Sequence, residues 1–341
     1  MKHHFINIIN NTLNGNKISE CLTNIEVIKN FSYMVVSNTE KPIEKLYNNH
    51  VDINESLRCV RNFFYSIDKN FGSMYENILQ EKNMYNGIET TSVKFFHLPK
   101  KFIDFNQSSL RNDGSVIIDY SELLYDIYVI THEITHKFSF QKEHRSKIND
   151  LLCEVPSITM GLLLEDYLLK NTKYNTDEIL INRNNELYEL YNNSIKYIYE
   201  YIVLELYDRK GYVSRNLVED YIKHEYSEIS DKLLAEEETL NYLKQENKLG
   251  FYKRQRYILG MLLAINIKKV SNDNYSELIN LIKILGNTDI NINEDIERLN
   301  TLDLTKIKDK IYINSSYEFL DDLESNYKNY LKEDKIKVLG R

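Results

Sequence analysis

The sequence predicts a mainly α-helical protein with a small β-sheet beside one central helix. Three observations carry this. Turn punctuation is sparse, with only 3 Pro and 10 Gly in 341 residues, which favours long helices. Apolar residues recur near helical spacing through most of the chain. Only two stretches, "TTSVKFFHLP" (90–99) and "GSVIIDY" (114–120), are short, β-branched and bounded by turn residues, as strands are.

In chain order, residues 1–85 read as several amphipathic helices. The run "ESLRCVRNFFYSIDKNFGSMYENIL" keeps helical spacing across its length, with Gly72 as a soft point. The two strands follow. Ser121 then reads as an N-cap with the acid Glu122 behind it, opening a helix over about 121–141. A second helix is expected over about 148–170, with Pro156 in its first turn or kinking it. Residues 176–247 read as two long polar-faced helices, split by "DRKGYVS" near Gly211, and 251–270 as a less charged helix. Shorter helices complete the chain. A division falls near residue 90, between an N-terminal helical region (1–89) and a catalytic region (90–341), within what reads as one continuous body.

The net charge of −8 and the absence of a basic stripe argue against nucleic-acid binding, which draws on clustered Lys and Arg. No stretch approaches the ~18 consecutive apolar residues of a membrane span. Cys21, Cys59 and Cys153 form neither a CxxC pair nor a disulfide framework. The opening residues are too broken for a signal peptide. A cytoplasmic location is the expectation. The 27 Tyr, with many Asn, Ile and Lys, read as coding bias.

One stretch carries chemistry: "VITHEITHKF" (129–138). At ~100° per residue, His132 and His136 lie one turn apart on the same face of a helix. Glu133 projects to the side, clear of an ion held by the two imidazoles but within reach of a water on it. This is the HExxH arrangement of two zinc ligands and a general base. Independent draws from this composition would produce it in about 2% of chains, so its place on a helix just after a strand adds weight. A zinc hydrolase needs a third protein ligand and an open position. His144 and Glu154 are the nearby candidates. Glu154, on the following helix in "CEVPS", can be brought back over the first helix by a short turn. It is the preferred third ligand to one Zn2+. His144 reads as a solvated loop residue, and Cys153 as a small buried residue or a soft ligand.

"GSVIIDYSELLYDIYVITHEITHKF" and "CEVPSITMGLLLEDYL" resemble the M3 family of zinc metallopeptidases, the thimet oligopeptidase and oligoendopeptidase F group. The first is similar to the family's strand, turn and HExGH helix, the second to its Glu-x-Pro-Ser segment, whose Glu is the third ligand. "FYKRQRYILGMLLAINI" and "ELINLIKILGNTDIN" are similar, more loosely, to stretches further along. The four pieces keep family order over about residues 110–290. The resemblance implies a zincin-like helical metallopeptidase whose body encloses a channel for short peptides. It also implies a tyrosine donating to the developing oxyanion, with Tyr257 aligning best and Tyr252 second. The chain departs from the pattern in several places. Thr135 stands where the family has Gly, and Ser139 where it has a further histidine. The gap from His136 to Glu154 is shorter, Arg254 and Arg256 replace aromatic or small residues, and the chain is shorter than common members.

The function expected is therefore a zinc-dependent oligopeptidase, with peptide as substrate and neither nucleic acid nor membrane as partner. Two alternatives stand beside it: a zinc amidohydrolase acting on a non-peptide amide, and a helical interaction or regulatory protein with an inactive zincin-like site. Lys253, Arg254 and Arg256 could hold a peptide C-terminus, although a solvated helix face is the plainer reading.

Overall fold

The structure, a computed structural model, describes residues 26–39, 50–85, 88–99, 107–111, 113–139, 152–171, 174–235 and 251–271, with Ile279 and Ile282. The described residues are mainly helical, with a small sheet, as the sequence predicts. No helix among them is long and apolar enough to cross a membrane. They fall into two compact units, one built from residues 1–43 and 186–259, the other from 44–185 and 260–341.

The second unit holds the sheet and the HExxH helix. Helices α2 (Ile53–Ile67) and α3 (Lys69–Gln80) follow α1 (Glu26–Asn38), which belongs to the first unit. The apolar run over 55–79 is broken at Asp68 and not at Gly72. Asp68 is extended (φ −161°, ψ 141°), and its carboxylate accepts from Asn70 N–H at 2.7 Å, capping α3. Gly72 stays within α3, tight against the Tyr65 ring.

Two strands that the sequence reading did not separate, β1 (Lys82–Tyr85) and β2 (Ile88–Thr91), pair antiparallel. The two expected strands are present as β3 (Val93–His97) and β5 (Val116–Tyr120), paired parallel with Val93 opposite Val116. A two-residue strand, β4 (Ser109–Leu110), pairs antiparallel with β5, giving the order β3-β5-β4. β5 is central, and its chain runs directly into the HExxH helix.

That helix, α4, spans Leu124–Phe138 and starts three residues later than expected. Ser121 is not its cap. Glu122 adopts positive φ (56°), and the Asp126 carboxylate reaches back to accept from Leu123 N–H at 2.9 Å and Ser121 N–H at 3.0 Å. It thereby satisfies donors that a helix start leaves open. Burial pushes the Asp126 carboxyl up to about 6, against the lowering effect of backbone donors.

α4 packs against α2, α3, β5 and the next helix, α5 (Glu154–Asn171). Ile127, Ile130 and Ile134 are fully buried, each contributing ~1.5–3 kcal/mol. At its far end Phe138 meets the Phe64 ring edge-on at 5.0 Å and stacks on Phe71 at 5.5 Å. Lys137 Nζ donates to the Gly114 carbonyl at 2.8 Å and pairs with Glu81 at 2.9 Å. Pro156 sits in the first turn of α5, where its missing N–H costs nothing.

α6 (Thr176–Lys210) and α9 (Phe251–Ser271) each contain a unit boundary. The expected second long helix over the 211–247 region is not continuous. α7 (Arg215–Glu225) ends at Tyr226, and a 3-10 turn (Ser227–Ile229) leads into α8 (Ser230–Leu234). In the first unit Arg254 is buried and paired with Glu200 at 3.2 and 3.3 Å, so it does not belong to a solvated helix face.

Asp126→Ala should lower stability by about 1–2 kcal/mol, read as a reduced urea midpoint. With its folded-state pKa raised to about 6, Asp126 favours folding most when protonated. Stability relative to Asp126→Asn should therefore be greatest below about pH 4 and be lost as pH rises through about 6. A pH-independent difference between the two proteins would contradict this.

Candidate metal centre

Most of α4 is buried, and His132 and His136 are among its few half-buried residues. The helical repeat stacks the two imidazoles one turn apart. Their Nε2 atoms come within 3.0 Å, with the ring planes at 83°. Residues 131 and 135, one position earlier, are threonines buried completely. Each hydroxyl is satisfied within the helix, Thr135 donating to the Thr131 carbonyl at 2.7 Å and Thr131 to that of Ile127 at 2.8 Å. A threonine therefore fits at 135, where a glycine was the pattern.

Glu154 opens α5, and its side chain returns over α4. Its Oε2 lies 3.4 Å from His132 Nε2 and 3.2 Å from His136 Nε2. The three donor atoms make a triangle with sides of 3.0, 3.2 and 3.4 Å. Donors about 2.0–2.1 Å from one tetrahedral ion stand roughly 3.3 Å apart. Two imidazoles and a carboxylate also form a donor set that zinc takes. Among the described residues, His132, His136 and Glu154 form a group that could hold a metal ion.

The carboxylate of Glu154 is under strong opposing influences. Burial pushes it up, while the charge on His136 and hydrogen bonds from His132 and His136 prevail and hold it well below the usual range. Ser157, one turn on and 1% exposed, places its hydroxyl 3.2 Å from Glu154 Oε2 and 2.9 Å from the Glu154 carbonyl oxygen. Ser157 was visible as part of "CEVPS", but its bond to the carboxylate depends on the rotamer of Glu154. The half-buried Cys153 approaches the other carboxylate oxygen at 4.0 Å and lies outside the three-residue group.

Glu133 is buried beside His132 on α4. His144 lies outside the described residues. Tyr257 is half-buried on α9 and, like Tyr252, belongs to the first unit. The structure thus gathers His132, His136 and Glu154, with Glu133 adjacent on the helix.

No protein-family model and no curated protein matches the chain. Among solved structures the fold is similar to that of a "putative peptidase" from Chlamydophila abortus. The superposition has a TM-score of 0.59 at 16% identity and covers 96% of this chain. The chain spans 58% of that protein's length. At this identity the likeness is one of fold.

Removing the Ser157 hydroxyl takes away a hydrogen bond to the carboxylate and leaves the three donors in place. Ser157→Ala should weaken divalent-metal binding on the order of tenfold in a competitive chelator titration. Unchanged affinity would show that the hydroxyl does not orient Glu154.

Proposed function

We propose that this chain is a zinc-dependent peptidase that hydrolyses short or unfolded peptides. One observation carries the reading: two imidazole nitrogens and a buried carboxylate oxygen converge within 3.4 Å beside the glutamate of an HExxH helix. The likeness in fold to a protein named a peptidase supports the same class.

His132, His136 and Glu154 would hold the ion. Zinc bound there supplies a Lewis acid that lowers the pKa of water and polarises a carbonyl. Glu133 is the general base: it takes the proton of the attacking water and delivers it to the departing amine. Tyr257, with Tyr252 as second candidate, donates its phenol O–H to the carbonyl oxygen as charge develops. That role rests on the resemblance to the M3 family.

The sheet suggests how a peptide is presented. Among the described residues β5 is paired on both sides, and the outer strands of this sheet are β3 and β4. An extended peptide adding to an edge would make main-chain bonds that ignore side-chain identity. Such binding suits a peptidase for unfolded chains more than an amidohydrolase for small amides.

The wild type should purify or reconstitute with one zinc per chain. Glu133→Gln should retain that zinc and lose peptide hydrolysis by on the order of 10²–10⁴-fold. His132→Ala should lose both. Elemental analysis paired with mass spectrometry of a digested peptide mixture reads both quantities. A chain without zinc, or a Glu133→Gln variant with full turnover, contradicts the proposal. Turnover of small amides with no peptide cleavage points to the amidohydrolase.

A further inference from the structure

Glu154 is held from a side that the ligand set does not reveal. Gly260, in the part of α9 that belongs to the same unit, faces the first turn of α5. A methyl group built on Gly260 would lie 2.8 Å from Ile158 Cδ1, 3.0 Å from Glu154 Cβ and 3.4 Å from the Glu154 carbonyl carbon. Lys268 fixes the neighbouring stretch of α9 along α5, donating to the Leu162 carbonyl at 3.2 Å and to Asp166 at 2.9 Å. The two helices are therefore tied at that level, and Gly260 marks their close approach.

The contacts differ in how they can yield. Ile158 Cδ1 ends a flexible side chain and can swing aside by a change of rotamer. Glu154 Cβ cannot, being bonded directly to the backbone. Pro156, two residues on, has a fixed φ, and Ser157 binds both the Glu154 carbonyl and its carboxylate. A side chain at 260 would have to push the first turn of α5, and with it the carboxylate.

We infer that Gly260 is a positioning residue for Glu154: its missing side chain lets the first turn of α5 sit where the carboxylate meets the two imidazoles. This rests on the metal-centre reading. Metal sites hold their ligand distances to about ±0.2 Å, so a shift of a few tenths of an ångström is enough to matter.

Gly161 provides the control. It is also a glycine within a helix of this unit, yet a methyl group built there meets nothing within 4 Å. The experiment is a zinc titration against a chromogenic chelator, with the visible spectrum of the cobalt-loaded protein and the thermal unfolding of the metal-free protein recorded alongside. Gly260→Ala should weaken zinc about 10–100-fold and alter the cobalt spectrum. Gly161→Ala should leave zinc affinity and the cobalt spectrum unchanged. The double variant Gly260→Ala/Ile158→Ala removes the nearest contact, eases folding, and should keep the zinc defect because the contact with Glu154 remains.

Restoration of wild-type affinity in the double variant would mean that Gly260 acts through Ile158, and would overturn the inference. So would wild-type affinity in Gly260→Ala itself. A wild type that holds no zinc would instead remove the metal-centre reading on which the inference stands.

Discussion

The structure is organised around one buried carboxylate. Taking an ionised glutamate out of water without a partner is costly, typically several kcal/mol. Glu154 meets that cost with two imidazole nitrogens at 3.2 and 3.4 Å and the Ser157 hydroxyl at 3.2 Å. The two imidazoles are themselves 3.0 Å apart. Three groups with lone pairs directed at one point repel one another unless protons or a cation lie between them. The arrangement makes chemical sense when a dication supplies the charge they share.

Such a triangle is useful only if its corners do not drift. Two belong to α4, and both ends of that helix are fastened. At the start, Asp126 gathers the backbone donors of Ser121 and Leu123. At the end, Phe138 is set among Phe64 and Phe71, and Lys137 is tied to Gly114 and Glu81. The third corner is less local. It depends on where the first turn of α5 settles, and therefore on small groups packed closely: Pro156, Ser157 and the bare backbone of Gly260. Rigid support around a loosely encoded corner is what a preorganised site requires.

The parts that were legible in the sequence are those with local causes. The spacing of His132 and His136 is set by the helix itself, so four residues were enough to place both rings together. The strands around Phe95 and Ile118 were legible from their β-branched composition, but their parallel pairing was not, because it joins distant segments. The helix start is not legible locally: Ser121 has the composition of a cap, whereas Asp126, five residues on, reaches back to that backbone. The hairpin of β1 and β2 did carry a signal, the Asn86-Gly87 pair between its strands, masked by the helical periodicity before it. Arg254 looked solvent-facing because nothing near it in sequence announces Glu200. Glu154 was legible as one of two candidates. The role of Gly260 is not legible in the sequence, since what it does is leave room for a residue 106 positions earlier.

X-ray absorption at the zinc edge of the metal-loaded protein tests the central claim most directly. The account predicts a first shell of nitrogen and oxygen donors at roughly 2.0–2.2 Å, with outer-shell scattering from two imidazole rings. A sulfur scatterer near 2.3 Å, which would bring in a cysteine such as Cys153, or a shell with fewer than two imidazoles, would contradict it.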